Sequence, residues 1–282
     1  MEVERMAIQY SRKEIIRRLS EQVKQGRSLL MFGAGSGLTA KCADIGGADL
    51  IAVYSTAKFR MMGQPTLLAW MPYEDCNACV KEMALEIIPV VKQAPCIAGI
   101  GAHHPALNLS RTIDEMMALG FSGITNEPFA GLYGDFFAQQ LEAAGIGFSR
   151  EVELIQTAHD KDIFTVAWAF NAREARLMAQ AGADVIGAIV GVTSGGLTGA
   201  QEMISLEEAV KTVQEITDAA QAVNPELMIL THGGPFKDVD TASYSVQYSA
   251  AHGYASGSSG ERMPTENAVI EITRQYKEIR LK

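Results

Sequence analysis

Eight short apolar runs recur along the chain, at 29–35, 49–55, 96–103, 123–128, 164–170, 185–191, 227–232 and 254–258. Most are continuous hydrophobics rather than alternating ones, the pattern of a strand buried on both faces in a parallel sheet. Each run gives way to an amphipathic segment with helix start or stop signals. Ser11 with Glu14 and Ser205 with Glu208 have capping-box spacing, in which a hydroxyl and a carboxylate satisfy each other's orphan amides. Asn171 suits a helix cap and Pro264 the first turn of the last helix. Gly120, Gly145 and Gly182 mark helix ends, where a left-handed residue stops the turn.

Eight strands alternating with helices in 282 residues predict one α/β domain, a single (β/α)8 TIM barrel spanning 1–282. An open doubly wound sheet is the alternative, and the count of eight units favours the barrel. The helix within 1–26 precedes the first strand and is expected to cover the bottom of the barrel or pack on a neighbour. Two connections are long, 56–95 and 131–163, and the second divides into two helical patterns at 145–149.

The net charge of −9, from only 20% charged residues, disfavours nucleic acid and anionic membrane surfaces as partners. No apolar run approaches the roughly 18 residues of a membrane span. Four cysteines are too few for a disulfide scaffold, so a reducing, cytoplasmic setting is expected. Cys76 and Cys79 lack the second pair that a zinc site needs, and read as free thiols on a helix.

In a barrel the reactive groups gather at the carboxyl ends of the strands. Glycine-rich turns stand at four of these ends: Gly33 to Gly37, Gly191 to Gly196, Thr231 to Pro235 and Ser256 to Gly260. Glycine lets backbone N–H groups approach an anion, and hydroxyls add donors without charge. The expected ligand-binding set is Gly33, Gly35, Ser36, Ser194, Gly195, His232, Gly233, Gly234, Gly257, Ser258, Ser259 and Arg262. The last two turns take the usual phosphate position of the fold, with Arg262 as clamp. Lys58, Arg60, Arg173 and Lys237 also follow strands, and each taken singly reads as a solvated surface charge. His103 and His104 close the third strand. One of them is expected to face the mouth as an acid, base or metal ligand. Glu127 closes the fourth strand, as a base or a ligand for Mg²⁺ or another divalent cation. The segment from Met61 to Tyr73 reads as an apolar lid or an oligomer contact. No lysine lies in a strand to form a Schiff base, and no nucleophile elbow is present.

Taken together, these motifs resemble the phosphoenolpyruvate hydrolase-like TIM-barrel proteins. The resemblance is carried by Gly33 to Ala40, Ala48 to Ile51, Met62 to Thr66, Gly99 to Gly101, Thr125 to Pro128 and the three late glycine turns. It extends to the C-terminal part of a plant virus-resistance protein and, in architecture, to the phosphoenolpyruvate mutase and isocitrate lyase barrels. In those barrels aspartates near the ends of the second and third strands hold Mg²⁺. Here the corresponding stretches read Tyr54-Ser55-Thr56 and Ile100 to His103, without the acids. The resemblance implies a hydrolase or lyase of small phosphorylated or phosphonate keto acids, assembled as a homo-oligomer. The alternative is a non-catalytic sensor that keeps the pocket for a small anionic metabolite.

Overall fold

The computed structural model describes residues 8–104 and 106–282. The first seven residues of the expected N-terminal segment, and Pro105 after the histidine pair, lie outside the described residues. Eight parallel strands close into a barrel in sequential order: β1 (Leu29–Gly33), β2 (Leu50–Val53), β3 (Cys96–Gly99), β4 (Gly123–Thr125), β5 (Phe164–Ala169), β6 (Val185–Ile189), β7 (Met228–His232) and β8 (Gly253–Ser256). The closing pair aligns Leu29 with Gly253 and Phe32 with Ser256. Residues of β2 through β6 are buried throughout, as continuous apolar runs require.

The helices are α1 (Arg12–Lys24), α2 (Gly37–Ile45), α3 (Ser55–Met61), α4 (Cys76–Ile87), α5 (Leu109–Ala118), α6 (Gly134–Ala143), α7 (Phe148–Asp160), α8 (Ala172–Gln180), α9 (Leu206–Gln221), α10 (Val239–Tyr248) and α11 (Arg262–Lys277). The first long connection holds α3, a 3-10 turn at Thr66–Trp70 and α4; the second holds α6 and α7, divided as expected. Ser205 and Glu208 form a full capping box. Ser11 caps α1, but Glu14 turns instead to Arg17, so that box is half made. Gly120, Gly145 and Gly182 all have positive φ.

α1 lies across the amino-terminal end of the barrel. It buries Ile15 and Leu19, and Arg12 donates to Asp184, just ahead of β6, at 2.9 Å. The backbone N–H of Tyr10 donates to Ser122, ahead of β4, at 3.0 Å. No helix among the described residues is long and apolar enough to cross a membrane.

The strands are shorter than the apolar runs suggest. β3 stops at Gly99, so His103 and His104 stand in the following turn, where strand alternation does not govern them. Arg60 corrects the reading of a surface charge: it is 4% exposed.

Candidate functional site at the barrel mouth

A cavity of about 50 Å³ opens among the carboxyl ends of the strands, lined by residues that include Tyr54, Thr56, Arg60, Glu127, Trp168, His232 and Ser258. Each is placed by the element that precedes or carries it. Tyr54 caps α3, and Arg60 stands a turn and a half further on the same helix. Asn126 pins the end of β4 to β5: its carbonyl accepts from the Trp168 N–H at 2.8 Å, and its amide donates to Glu151 at 2.5 Å. Glu151 in turn accepts from the Ala130 N–H at 2.7 Å. Burial pushes the Glu151 carboxyl up to about 8.

The cation of the site is held by a second buried charge. Arg60 donates through Nε and Nη2 to Glu261 Oε2, at 3.2 and 3.0 Å, and through Nη2 to the Gly33 carbonyl at 3.0 Å. The other oxygen of Glu261 accepts from the Gly35 N–H and the Thr39 hydroxyl, both at 2.6 Å. Arg60 Nη1 lies by Gly257, 3.6 Å from where a Cβ would stand, and His232 Cε1 lies 3.2 Å from the same point.

Buried polar atoms without partners collect at this cavity. Both oxygens of Glu127, the Thr56 hydroxyl and the Trp168 indole N–H have no hydrogen-bond partner. A buried polar group left unpaired costs about 1–3 kcal/mol, more if charged, so such a cluster marks a place where a ligand or water completes the bonding. Burial raises the Glu127 carboxyl to about 8, with Arg60 opposing the shift. It lowers His232 to about 4. His232 Nδ1 is 2.7 Å from the Ala255 carbonyl, which can only accept; Nδ1 therefore carries the proton and Nε2 is an acceptor.

The turn before α11 borders the cavity through Ser258. Among the described residues, the N–H groups of Gly257, Ser258, Ser259 and Gly260 have no protein acceptor. Over the mouth, the 3-10 turn brings Thr66 and Trp70 into the lining. Trp70 donates to the Phe129 carbonyl at 2.7 Å and meets that ring at a tilt of 51°, centroids 5.1 Å apart.

The structure therefore brings together Glu127, His232, Gly257 and Ser258 of the expected set. It does not bring in the histidine pair. His103 is exposed and lines a neighbouring crevice of about 370 Å³ with Cys76 and Glu151, and His104 accepts from the Ala106 N–H at 3.2 Å. Arg262 stands outside the cavity lining: its guanidinium donates to Glu266 at 2.8 Å and to the Gly195 carbonyl at 3.0 Å. Gly33 and Gly35 serve Arg60 and Glu261, and Ser36 caps α2. Ser194 and Gly234 bond each other, N–H to carbonyl, at 3.0 Å. The Gly234 N–H is taken by the Gly191 carbonyl, and an added Cβ on Gly233 would fall 2.0 Å from that same oxygen. Ser259 bonds the Tyr254 hydroxyl at 2.8 Å. The two late turns do adjoin, but only the second keeps free amides beside the cavity.

Arg60, Glu261, Trp168 and Thr56 were not singled out as site residues by sequence reasoning. Arg60 carried a signal, since it stands among Ala57, Phe59 and Met61, a poor setting for a solvated cation.

The lining offers one carboxylate, Glu127, and among the described residues no group of three or more His, Cys, Asp or Glu side chains could hold a metal ion. A lone, proton-holding carboxyl does not fit the two-aspartate Mg²⁺ site that the resemblance implies, so no chemical step is derived through a cation.

The fold is that of the phosphoenolpyruvate mutase and isocitrate lyase barrels. Among solved structures, phosphonopyruvate hydrolase in complex with oxalate and Mg²⁺ superposes with a TM-score of 0.60 at 17% identity, covering 94% of this chain and 85% of that one. 2,3-Dimethylmalate lyase gives 0.61 at 15%, covering 93% and 87%. The chain belongs to the phosphoenolpyruvate hydrolase-like family, whose model matches residues 14–279. It is 41% identical over 266 residues to the tomato (Solanum lycopersicum) ToMV susceptible protein tm-1(GCR26), covering 94% of this chain and 35% of that protein. The chain thus spans about a third of the length of that relative.

Proposed function

We propose that this barrel is a hydrolase or lyase acting on a small phosphorylated or phosphonate keto acid of the phosphoenolpyruvate or phosphonopyruvate type. The observation that carries the reading is the convergence of unpartnered buried donors and acceptors on one small cavity beside a buried arginine. Arg60 and the free amides of 257–260 supply positive potential for the anionic groups, in a protein whose net charge is −9. Trp168 and Thr56 add neutral donors, and His232 Nε2 accepts from a hydroxyl or a water. Glu127, with its carboxyl near 8, holds a proton at neutral pH and can deliver it to the group released when the bond breaks. Trp70 and Phe129 cover the mouth and limit the entry of water.

The test is a thermal-shift and turnover screen of phosphoenolpyruvate, phosphonopyruvate and oxalate, with and without Mg²⁺. Stabilisation with phosphate or pyruvate release, lost in Glu127→Gln, supports the assignment; no shift with any of the three overturns it. A sensor role is the second reading, favoured by the absence of paired acids at the ends of β2 and β3. It requires stabilisation without turnover.

A further inference from the structure

The carboxyl ends of β2 and β3, where the resemblance implies acids around a divalent cation, are taken up by other groups. α3 starts directly after β2, with Tyr54 as its cap in extended conformation, and carries Arg60 into the cavity lining. The Tyr54 side chain fills the space at the neighbouring strand ends. A Cβ on Gly33 would fall 1.9 Å from its hydroxyl, and a Cβ on Gly99 would fall 2.5 Å from its own Cβ. Past β3, Asn77 accepts from the Gly101 N–H at 2.9 Å and donates to the Gly101 carbonyl at 3.1 Å. A Cβ on Gly101 would fall 2.4 Å from Cys76 Sγ, so no acidic side chain fits there either.

The cavity is furnished with donors instead. Arg60 is held from one side only: Nε and Nη2 give to Glu261 and the Gly33 carbonyl, while Nη1 has no acceptor among the described residues and stands by Gly257 and His232. Glu261 is outside the lining, and its other oxygen is occupied by Gly35 and Thr39. The guanidinium charge is thus balanced from behind and open in front. The Gly257 and Ser258 N–H groups and the Trp168 indole add neutral donors without protein acceptors. Mg²⁺ takes oxygen ligands in near-octahedral number, and a cation nearby repels it, the more so out of water. This lining gives it one carboxylate, Glu127, with a fixed guanidinium in the same small space.

On the small-anion reading proposed above, on which this depends, we infer that the cavity binds its dicarboxylate or phosphonate-carboxylate ligand as the free dianion on the Arg60 guanidinium, and does not take up the Mg²⁺ chelate of that dianion. Hydrogen bonds from a guanidinium to a carboxylate or phosphonate are roughly twice as strong as neutral ones. A buried arginine held by Glu261, with amides already in place around it, offers them with no loading step and little reorganisation. The sign of the metal effect is then reversed. Mg²⁺ chelates such dianions in solution, so here it competes with the protein for the ligand, whereas a site built around the cation is strengthened by it.

Oxalate is titrated calorimetrically into the full chain, in EDTA and again in millimolar Mg²⁺. Binding in EDTA is expected, with an apparent affinity that falls severalfold in Mg²⁺ as free oxalate is depleted. Mn²⁺ added without oxalate should keep the paramagnetic resonance spectrum of the free ion. Arg60→Met combined with Glu261→Leu removes both buried charges together, and should keep a cooperative melt while lowering oxalate affinity at least about tenfold in EDTA. Should that variant not fold, the Mg²⁺ dependence of the wild type decides alone. Oxalate binding that needs Mg²⁺ or tightens about tenfold with it, Mn²⁺ bound stoichiometrically, or an unaltered affinity in the folded double variant would overturn the free-dianion assignment and leave the anion site standing. No oxalate binding in either buffer would overturn the anion site and the assignment with it.

Discussion

Arg60 and Glu261, 201 residues apart in the chain, form a buried ion pair at 3.0 Å that joins α3 to the turn before α11. Through Gly35 and Thr39 the same carboxylate also holds the turn after β1. Breaking a buried pair strands a charge, so Glu261→Gln is expected to lower stability by about 3–5 kcal/mol in urea unfolding. Arg60→Met combined with Glu261→Leu should cost less than Glu261→Gln alone. Equal or greater loss in the double variant would mean that packing, not the stranded charge, dominates.

Glu127 sets a pH dependence of known sign. Its carboxyl rises from 4.5 to about 8 on folding, so between these values the native state keeps a proton that the unfolded chain releases. Wild-type stability therefore falls through this window relative to Glu127→Gln, by an amount on the order of a few kcal/mol in full. The difference in Tm, variant minus wild type, should be smallest near pH 5 and largest near pH 9. Glu151, also near 8, is common to both proteins and cancels. A difference independent of pH would place the Glu127 carboxyl in contact with water.

Gly257→Ala probes the cavity wall, with the His232 ring giving by a few tenths of an ångström. The added methyl would lie 3.2 Å from His232 Cε1 and 3.6 Å from Arg60 Nη1, and φ at this glycine is not left-handed. Stability is expected to change by less than about 1 kcal/mol, while the affinity for oxalate or phosphoenolpyruvate drops at least about tenfold. Calorimetric affinities equal in the two proteins would move the anion elsewhere.

Both tryptophans of the chain, Trp70 and Trp168, line the cavity. Ligand entry should therefore alter intrinsic fluorescence. Trp168→Phe keeps a ring against Gly187 and removes the unpartnered indole N–H. It should leave the melt unchanged or slightly higher while weakening binding by about 1 kcal/mol. Titration of each single-tryptophan variant separates the two signals, and a silent Trp168 would exclude it from the site.

The barrel was legible because its strands are written as unbroken apolar runs and its helices carry their own caps, both local signals. That Glu127, His232, Gly257 and Ser258 stand at the barrel mouth was legible for the same reason, each lying at or just past a strand end. Arg60 and Glu261 were not legible, since their burial depends on a contact across the whole chain that neither neighbourhood encodes. The histidine pair misled because the apolar run at 96–103 extends past the last ladder bond, so residues that read as strand belong to a turn. Arg262 stands beside the glycine turn, but its Nη1 and Nη2 bond Glu266, one helical turn later, and the Gly195 carbonyl, while its buried Nε keeps no partner.

α1 stoppers the amino-terminal end of the barrel with Ile15 and Leu19, and the cavity stands at the opposite, carboxyl end. On the proposed function, a reactant would enter and a product depart past the same aromatic threshold of Trp70 and Phe129. Traffic in the two directions must then alternate, and loosening that threshold would quicken release and admission together.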